Sequence, residues 1–97
     1  MRQNSWGLQF VKVNVKENEF ETLLGLNLES EEKAKEIFNR IKTEFVENKN
    51  EPECVVDLLD EDDSIIDDYA LTMNQVVTVA SLLGYVVNPL TNQFQQA

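Results

Sequence analysis

Residues 53–72, ECVVDLLDEDDSIIDDYALT, decide the fold of this chain because they have the pattern of a β-hairpin. Apolar runs lie on both sides of a polar segment at 60–64, and strand-forming residues around turn-forming residues are the usual hairpin signal. Between Asp57 and Asp68 there are seven acids and no base. The stretch therefore predicts a hairpin with a strongly negative tip.

A second hairpin is predicted upstream of the first. In residues 8–16 valines alternate with lysine and asparagine, which is the period-two pattern of a half-buried strand. Residues 17–19 are a polar turn, and leucines alternate again in residues 20–28. The two strands are close enough in the chain to pair.

Each hairpin is followed by a predicted helix. Ser30 is placed to cap the first helix, and apolar residues at helical spacing follow it up to Phe45. Thr72 and Gln75 have the spacing of a capping box for the second helix, and Gly84 is placed to end it.

These elements predict a single α+β domain over 1–97 with the order ββαββα. Residues 8–48 are a first ββα unit, residues 53–87 are a second, and residues 91–97 are a flexible polar tail. We expect the two units to share one antiparallel sheet with both helices on one face. The residues predicted to point into the core are Val13, Leu26, Phe38, Ile41, Val56, Leu71 and Val77.

The net charge of −10 argues against direct binding to nucleic acid or to an anionic membrane, because both would repel the chain. The first ten residues contain no long apolar run, and no run approaches the ~20 residues that span a bilayer. The single cysteine, Cys54, lies in an apolar run and excludes an intrachain disulfide. We therefore expect a cytoplasmic protein in which Cys54 is a core residue.

Catalytic, metal and cofactor sites are not predicted. A helix-loop-helix calcium site that begins at Asp60 would need glycine at position 65 and glutamate at position 71, where this chain has Ile65 and Leu71. Cys54 has no histidine to act as its base, and the seven acids crowd a predicted exposed turn and not a cleft with partners that would separate their pKa values. The sequence thus predicts a non-catalytic protein.

Two main hypotheses about function remain open, beside a third in which the chain is a regulator that responds to a small ligand or a metal ion. In the first, the acidic hairpin binds, and inhibits, a protein with a basic surface, of which a nucleic-acid-binding protein is one class. DNA-mimicking inhibitors of phage and mobile-element type are similar to this chain in size and acidity, a similarity of composition alone. The predicted partner-binding residues are Asp57, Asp60, Glu61, Asp62, Asp63, Asp67 and Asp68.

In the second hypothesis, the acids only keep the protein soluble and protect a sheet edge. Residues 69–97 carry no charged side chain, so the second helix lacks the charged outer face that a surface helix usually has. This helix is then predicted to form a homodimer through Val79 and Leu82.

Overall fold

The computed structural model describes residues 5–49, 53–88, 90–91 and 93–97. The chain is α+β, with a four-stranded antiparallel sheet and two helices, which confirms the predicted fold class at that level. The elements in chain order are β1 (Gly7–Asn14), β2 (Glu19–Asn27), α1 (Glu31–Glu44), β3 (Cys54–Leu59), β4 (Ile65–Leu71), α2 (Met73–Leu82), β5 (Tyr85–Val87) and β6 (Phe94–Gln96).

The four-stranded sheet places the two hairpins side by side in the strand order β2-β1-β3-β4. All three pairings are antiparallel, and β1 and β3 are the central strands. In the first turn, Asn14 Oδ1 accepts a hydrogen bond from the backbone N–H of Glu17 at 3.3 Å, and Asn18 has a left-handed φ of 54°. Asparagine tolerates this conformation, which explains why a turn forms here.

Both helices pack on one face of the sheet, which we call the inner face; the opposite face is the outer face. Residues of the two helices and of the strands form one hydrophobic cluster. Its buried members are Leu8, Phe10, Ala34, Phe38, Ile41, Cys54, Val56, Leu58, Leu71, Val76 and Val79. The predicted core positions Phe38, Ile41, Val56 and Leu71 are confirmed, and Leu26 is half-buried against the cluster.

The face of strand β1 that packs against the helices is not the face predicted from the sequence. Leu8 and Phe10 are buried on the inner face, whereas Val13 pairs with Phe20 and lies half-buried on the outer face. The prediction that Val13 points into the core is therefore wrong. Both faces of β1 are apolar, and the inner face takes the larger side chains because they bury more apolar area against the helices.

Helix α1 begins as the sequence predicted. The Ser30 side chain accepts a hydrogen bond from the backbone N–H of Lys33 at 3.2 Å, and Glu31 and Glu32 lie in the first turn. Acids in the first turn are favourable at the positive end of the helix dipole. The helix ends at Glu44, and Phe45 lies half-buried against the core.

Helix α2 has the predicted caps but a different buried side. Thr72 and Gln75 form a reciprocal capping box, and Gly84, at φ 92°, follows the helix in the left-handed conformation. The core side consists of Val76, Val79 and Ala80, while Val77 is 37% exposed. The prediction of Val77 as a core residue is wrong because Val77 lies at the border between the apolar side of this helix and its polar side, which Asn74, Thr78 and Ser81 form.

The end of the chain is not wholly the loose tail that its polar sequence predicted. Phe94–Gln96 pair in antiparallel fashion with Tyr85–Val87 and form a separate two-stranded sheet. Phe94 packs against the core, and the backbone N–H of Ala97 donates to the Gly84 carbonyl at 2.9 Å. One aromatic residue thus holds an otherwise polar segment onto the domain.

Candidate acidic binding surface

The tip of the β3–β4 hairpin is a turn held by Asp60. One carboxylate oxygen of Asp60 accepts hydrogen bonds from the backbone N–H groups of Asp62 and Ser64, each at 2.9 Å. Asp63 takes the left-handed φ of 62° that lets the chain reverse. Asp60 therefore shapes the turn, which leaves Glu61, Asp62 and Asp63, hereafter the tip acids, as exposed side chains at its end.

Asp67 and Asp68 point to opposite faces of the sheet because successive residues of a strand alternate. Asp67 lies opposite Leu58 on the inner face, and its Oδ2 is 3.3 Å from Lys42 Nζ on α1. Asp68 lies opposite Asp57 on the outer face. The seven predicted partner-binding acids are thus not one continuous surface: they divide among the tip, the inner-face ion pair and the outer face.

Asp57 is the buried charged residue of the described core, with 7% of its surface exposed. On the central strand β3 it lies between Gln9 of β1 and Asp68 of β4. Burial raises the pKa of the Asp57 carboxyl, the charge of Asp68 raises it further, and a hydrogen bond from Gln9 acts in the opposite direction. Like charges directly opposite each other on paired strands destabilise a sheet.

Asp57 and Asp68 lie in a shallow apolar depression of about 400 Å³ on the outer face, which we call the outer trough. Apolar side chains of β1, β2, β3 and β4 form most of it, and within the part of the chain that the structure describes, no lysine or arginine lines it. The lining residues are Gln9, Val11, Val13, Phe20, Thr22, Val55, Asp57, Ile65 and Asp68.

Most of the residues that line the outer trough were not predicted from the sequence as binding residues. Phe20 and Ile65 are 70% and 59% exposed, which is unusual for large apolar side chains. Their positions on the edge strands β2 and β4 depend on the pairing of β1 with β3. One signal was available: Val11 and Val13 alternate with polar residues and mark an apolar face of β1.

A second depression of about 240 Å³ lies between α1 and α2. Both residues predicted for self-association line it, but they differ in exposure: Val79 is 2% exposed and belongs to the core, whereas Leu82 is 69% exposed. In the single chain, only Leu82 of this pair is available to a second molecule. Ile37, Arg40 and Glu44 lie on the α1 side of the same depression.

Cys54 is a core residue, as predicted. Its side chain is fully buried, and its Sγ lies 3.6 Å from Met73 Sδ as a hydrogen-bond donor. Burial raises the pKa of the thiol to about 11, with a further increase from Glu53 and an opposing effect of Lys12. Since the thiolate is the nucleophile, the thiol of Cys54 is unreactive at neutral pH.

We expect Asp57→Asn to stabilise the protein at pH 7 by roughly 0.2–1 kcal/mol, the scale of one cross-strand pair. The folded-state pKa of Asp57 is raised above the ordinary value of 3.8. Protonated Asp57 therefore stabilises the folded state, fully at a pH below that ordinary value. This stabilisation is lost as the pH rises through the folded-state pKa. The increase in the free energy of unfolding caused by Asp57→Asn should be larger at pH 7 than at pH 4, as measured by urea unfolding.

The tip substitution Asp62→Asn is the matched control for Asp57→Asn, because it removes the same charge from an exposed site. Its effect should stay within about 0.5 kcal/mol at both pH values. If Asp57→Asn destabilised the fold at pH 7, the ionised carboxylate would be making a stabilising contact, contrary to this assignment.

Among the residues that the structure describes, no helix is long and apolar enough to cross a membrane. Within the same residues, no three His, Cys, Asp or Glu side chains are grouped so as to hold a metal ion. The chain matches no protein-family model, and no curated protein and no solved structure shows significant similarity to it.

Proposed function

We propose that this chain is a non-catalytic protein-binding domain that captures a basic surface of another protein through its acidic β3–β4 hairpin. The observation that carries the proposal is the arrangement of carboxylates on this hairpin. The tip acids are exposed on a hydrogen-bonded turn, and Asp57 and Asp68 lie behind them on the outer face. A fixed group of like charges attracts a basic partner and accelerates encounter.

The partner in this proposal is a protein with clustered lysine and arginine, and nucleic-acid-binding proteins are the class whose surfaces best fit that description. By occupying such a surface, the hairpin would inhibit the partner's binding to nucleic acid. The proposed setting is the cytoplasm, since a reducing compartment suits a chain with one free, buried cysteine. The two hairpin-helix units act in this proposal as one scaffold that presents the hairpin.

The test compares association rates of variants with equal net charge. A partner is first isolated from the native host on the immobilised chain and purified. Its association rate is then measured from about 50 to about 500 mM salt, a range over which screening becomes strong. The tip variant Glu61→Gln, Asp62→Asn, Asp63→Asn is compared with the control Glu29→Gln, Glu32→Gln, Glu36→Gln, which removes three exposed charges outside the hairpin.

We expect the tip variant to associate at least about tenfold more slowly at low salt, because steering by a charged surface changes on-rates by 10- to 1,000-fold. The association rate of the control variant should decrease much less. The difference in association rate between the two variants should become smaller as the salt concentration increases. If neither salt nor the tip substitutions changed the association rate, the electrostatic function would be ruled out.

A specific observation supports a second function, self-association through α2. Leu82 is 69% exposed beside the depression between the helices, and the described part of this helix carries no charge. A homodimer formed in this way would be insensitive to salt, unlike capture by the hairpin. Sedimentation equilibrium of the wild-type chain at low and high salt separates the two functions.

A further inference from the structure

We propose that the outer trough is a docking site for an extended partner segment that presents one arginine to Asp57 and Asp68, with apolar side chains on either side of the arginine. This inference rests on the proposed function and assigns to it a second contact surface, distinct from the tip acids. It also specifies the chemistry of the partner segment.

Two carboxylates give the outer trough a negative charge. Asp57 is 7% exposed and lies directly opposite Asp68, and Gln9 is the neighbour that offsets their repulsion by a hydrogen bond. Among the described residues that line the trough there is no lysine or arginine. A buried charge without a counter-charge is unfavourable, so the site is electrostatically complementary to an added cation.

Arginine fits this site better than lysine does. The guanidinium group is planar and has five N–H donors in a fixed arrangement, so one group can donate to two neighbouring carboxylates. It is also more weakly hydrated than an ammonium group, and it therefore loses less on entering an apolar depression. The apolar walls around Asp57 favour a cation with these properties.

Apolar surface lies on both sides of the two carboxylates. Phe20 is exposed beside Val13 near one end of the trough, and Ile65 is exposed beside Leu59 near the other. Along β1, the distance from Val13 to Gly7 is six residue steps, or about 20 Å. An extended segment of about seven residues would span these six steps. Its arginine would lie over Asp57, four steps from an apolar side chain against Phe20 and two steps from one against Ile65.

The alternation of side chains in an extended chain gives a specific probe. In the capped peptide acetyl-Val-Thr-Thr-Thr-Arg-Thr-Val-amide, the arginine and both valines lie on one side, and the valines are six steps, or about 20 Å, apart. The peptide acetyl-Thr-Val-Thr-Thr-Arg-Val-Thr-amide has the same composition and charge but places the valines on the side opposite the arginine. A third peptide, acetyl-Val-Thr-Thr-Thr-Gln-Thr-Val-amide, keeps the shape and removes the charge.

Each peptide is titrated into the full chain, and binding is followed by NMR through the backbone amide signals. We expect the first peptide to shift the signals of Gln9, Val11, Val55 and Asp57 and to leave those of the tip acids unchanged. The glutamine peptide should bind at least about tenfold more weakly, as expected for the loss of a charge-assisted contact. The peptide with its valines on the other side should also bind more weakly than the first.

Variants of the chain test the same contact. Asp57→Asn with Asp68→Asn should weaken binding of the first peptide by at least about tenfold, and the tip variant should keep it nearly unchanged. Phe20→Ser and Ile65→Ser, both at exposed positions, should weaken binding without changing the melting temperature by more than a few degrees. These exposed substitutions keep the test valid if the carboxylate variant folds poorly.

Equal binding of the arginine and glutamine peptides, or no binding of either, would overturn the inference. So would movement of the same amide signals with protein concentration alone, because the occupant would then be a second copy of the chain. If the tip variant slows capture of the isolated partner while the trough variants change nothing, the proposed function stands and the docking site fails. The reverse result would retain the trough and reject the hairpin tip.

Discussion

Replacing Phe38 by alanine is expected to lower the free energy of unfolding by about 3–5 kcal/mol. The Phe38 side chain is 1% exposed and is among the largest fully buried side chains, on the side of α1 that faces the sheet. Without the ring, the protein loses the favourable free energy of transferring it from water into the core, and a cavity remains beneath the sheet. Domains of this kind have a total stability of roughly 5–15 kcal/mol, so the variant loses between about a fifth and all of it.

Urea unfolding measures this loss through the midpoint of the transition, provided that the slope is unchanged. Phe20→Ala is the matched control because it removes the same ring from a site that is 70% exposed, and it should change stability by no more than about 0.5 kcal/mol. Similar losses in the two variants would contradict the placement of α1 on the sheet.

The second large effect is expected from Val79→Glu, which should destabilise the fold by at least about 4 kcal/mol. Val79 is 2% exposed on the core side of α2, and Arg40, which lines the same depression, is exposed and pairs with Glu44 on α1 rather than reaching into the core. The protein would have to bury the glutamate in its protonated form or expose the core to water, and both are costly.

Leu82→Glu introduces the same charge three residues later on the same helix, at a site that is 69% exposed. It should change stability by no more than about 0.5 kcal/mol. A dimer that formed through α2 would be weakened by this substitution in sedimentation equilibrium while the monomer stays folded. If Leu82→Glu unfolded the chain and Val79→Glu did not, the assigned inner side of α2 would be incorrect.

The tip acids and the outer trough would contribute differently to one binding event. Exposed charges at the hairpin tip act over a distance and mainly raise the association rate. A desolvated contact between an arginine and two carboxylates forms only at close range and mainly lowers the dissociation rate. The tip variant should therefore mainly associate more slowly, whereas the trough variants should mainly dissociate faster.

The sequence by itself determined the elements whose polar residues mark their ends and sides. Ser30 and the Thr72–Gln75 capping box gave the helix starts, Asp60 to Ser64 gave the hairpin turn, and α1 showed its buried side because polar residues cover the rest of it. These signals are local: each depends on hydrogen bonds or on periodicity within a few residues, so no knowledge of distant contacts is needed.

Only the tertiary structure decided which residues face the core where an element has two apolar faces or a broad apolar side. In β1 both faces are apolar, and packing buried Phe10 rather than Val13; in α2 the apolar side is broad, and packing buried Val79 rather than Val77. The candidate site has the same origin. Alternation within a strand separates Asp67 from Asp68, but the contact of Asp57 with Asp68 and Gln9 depends on the register of three strands. That register is set by burial of the inner face, which joins residues far apart in the chain.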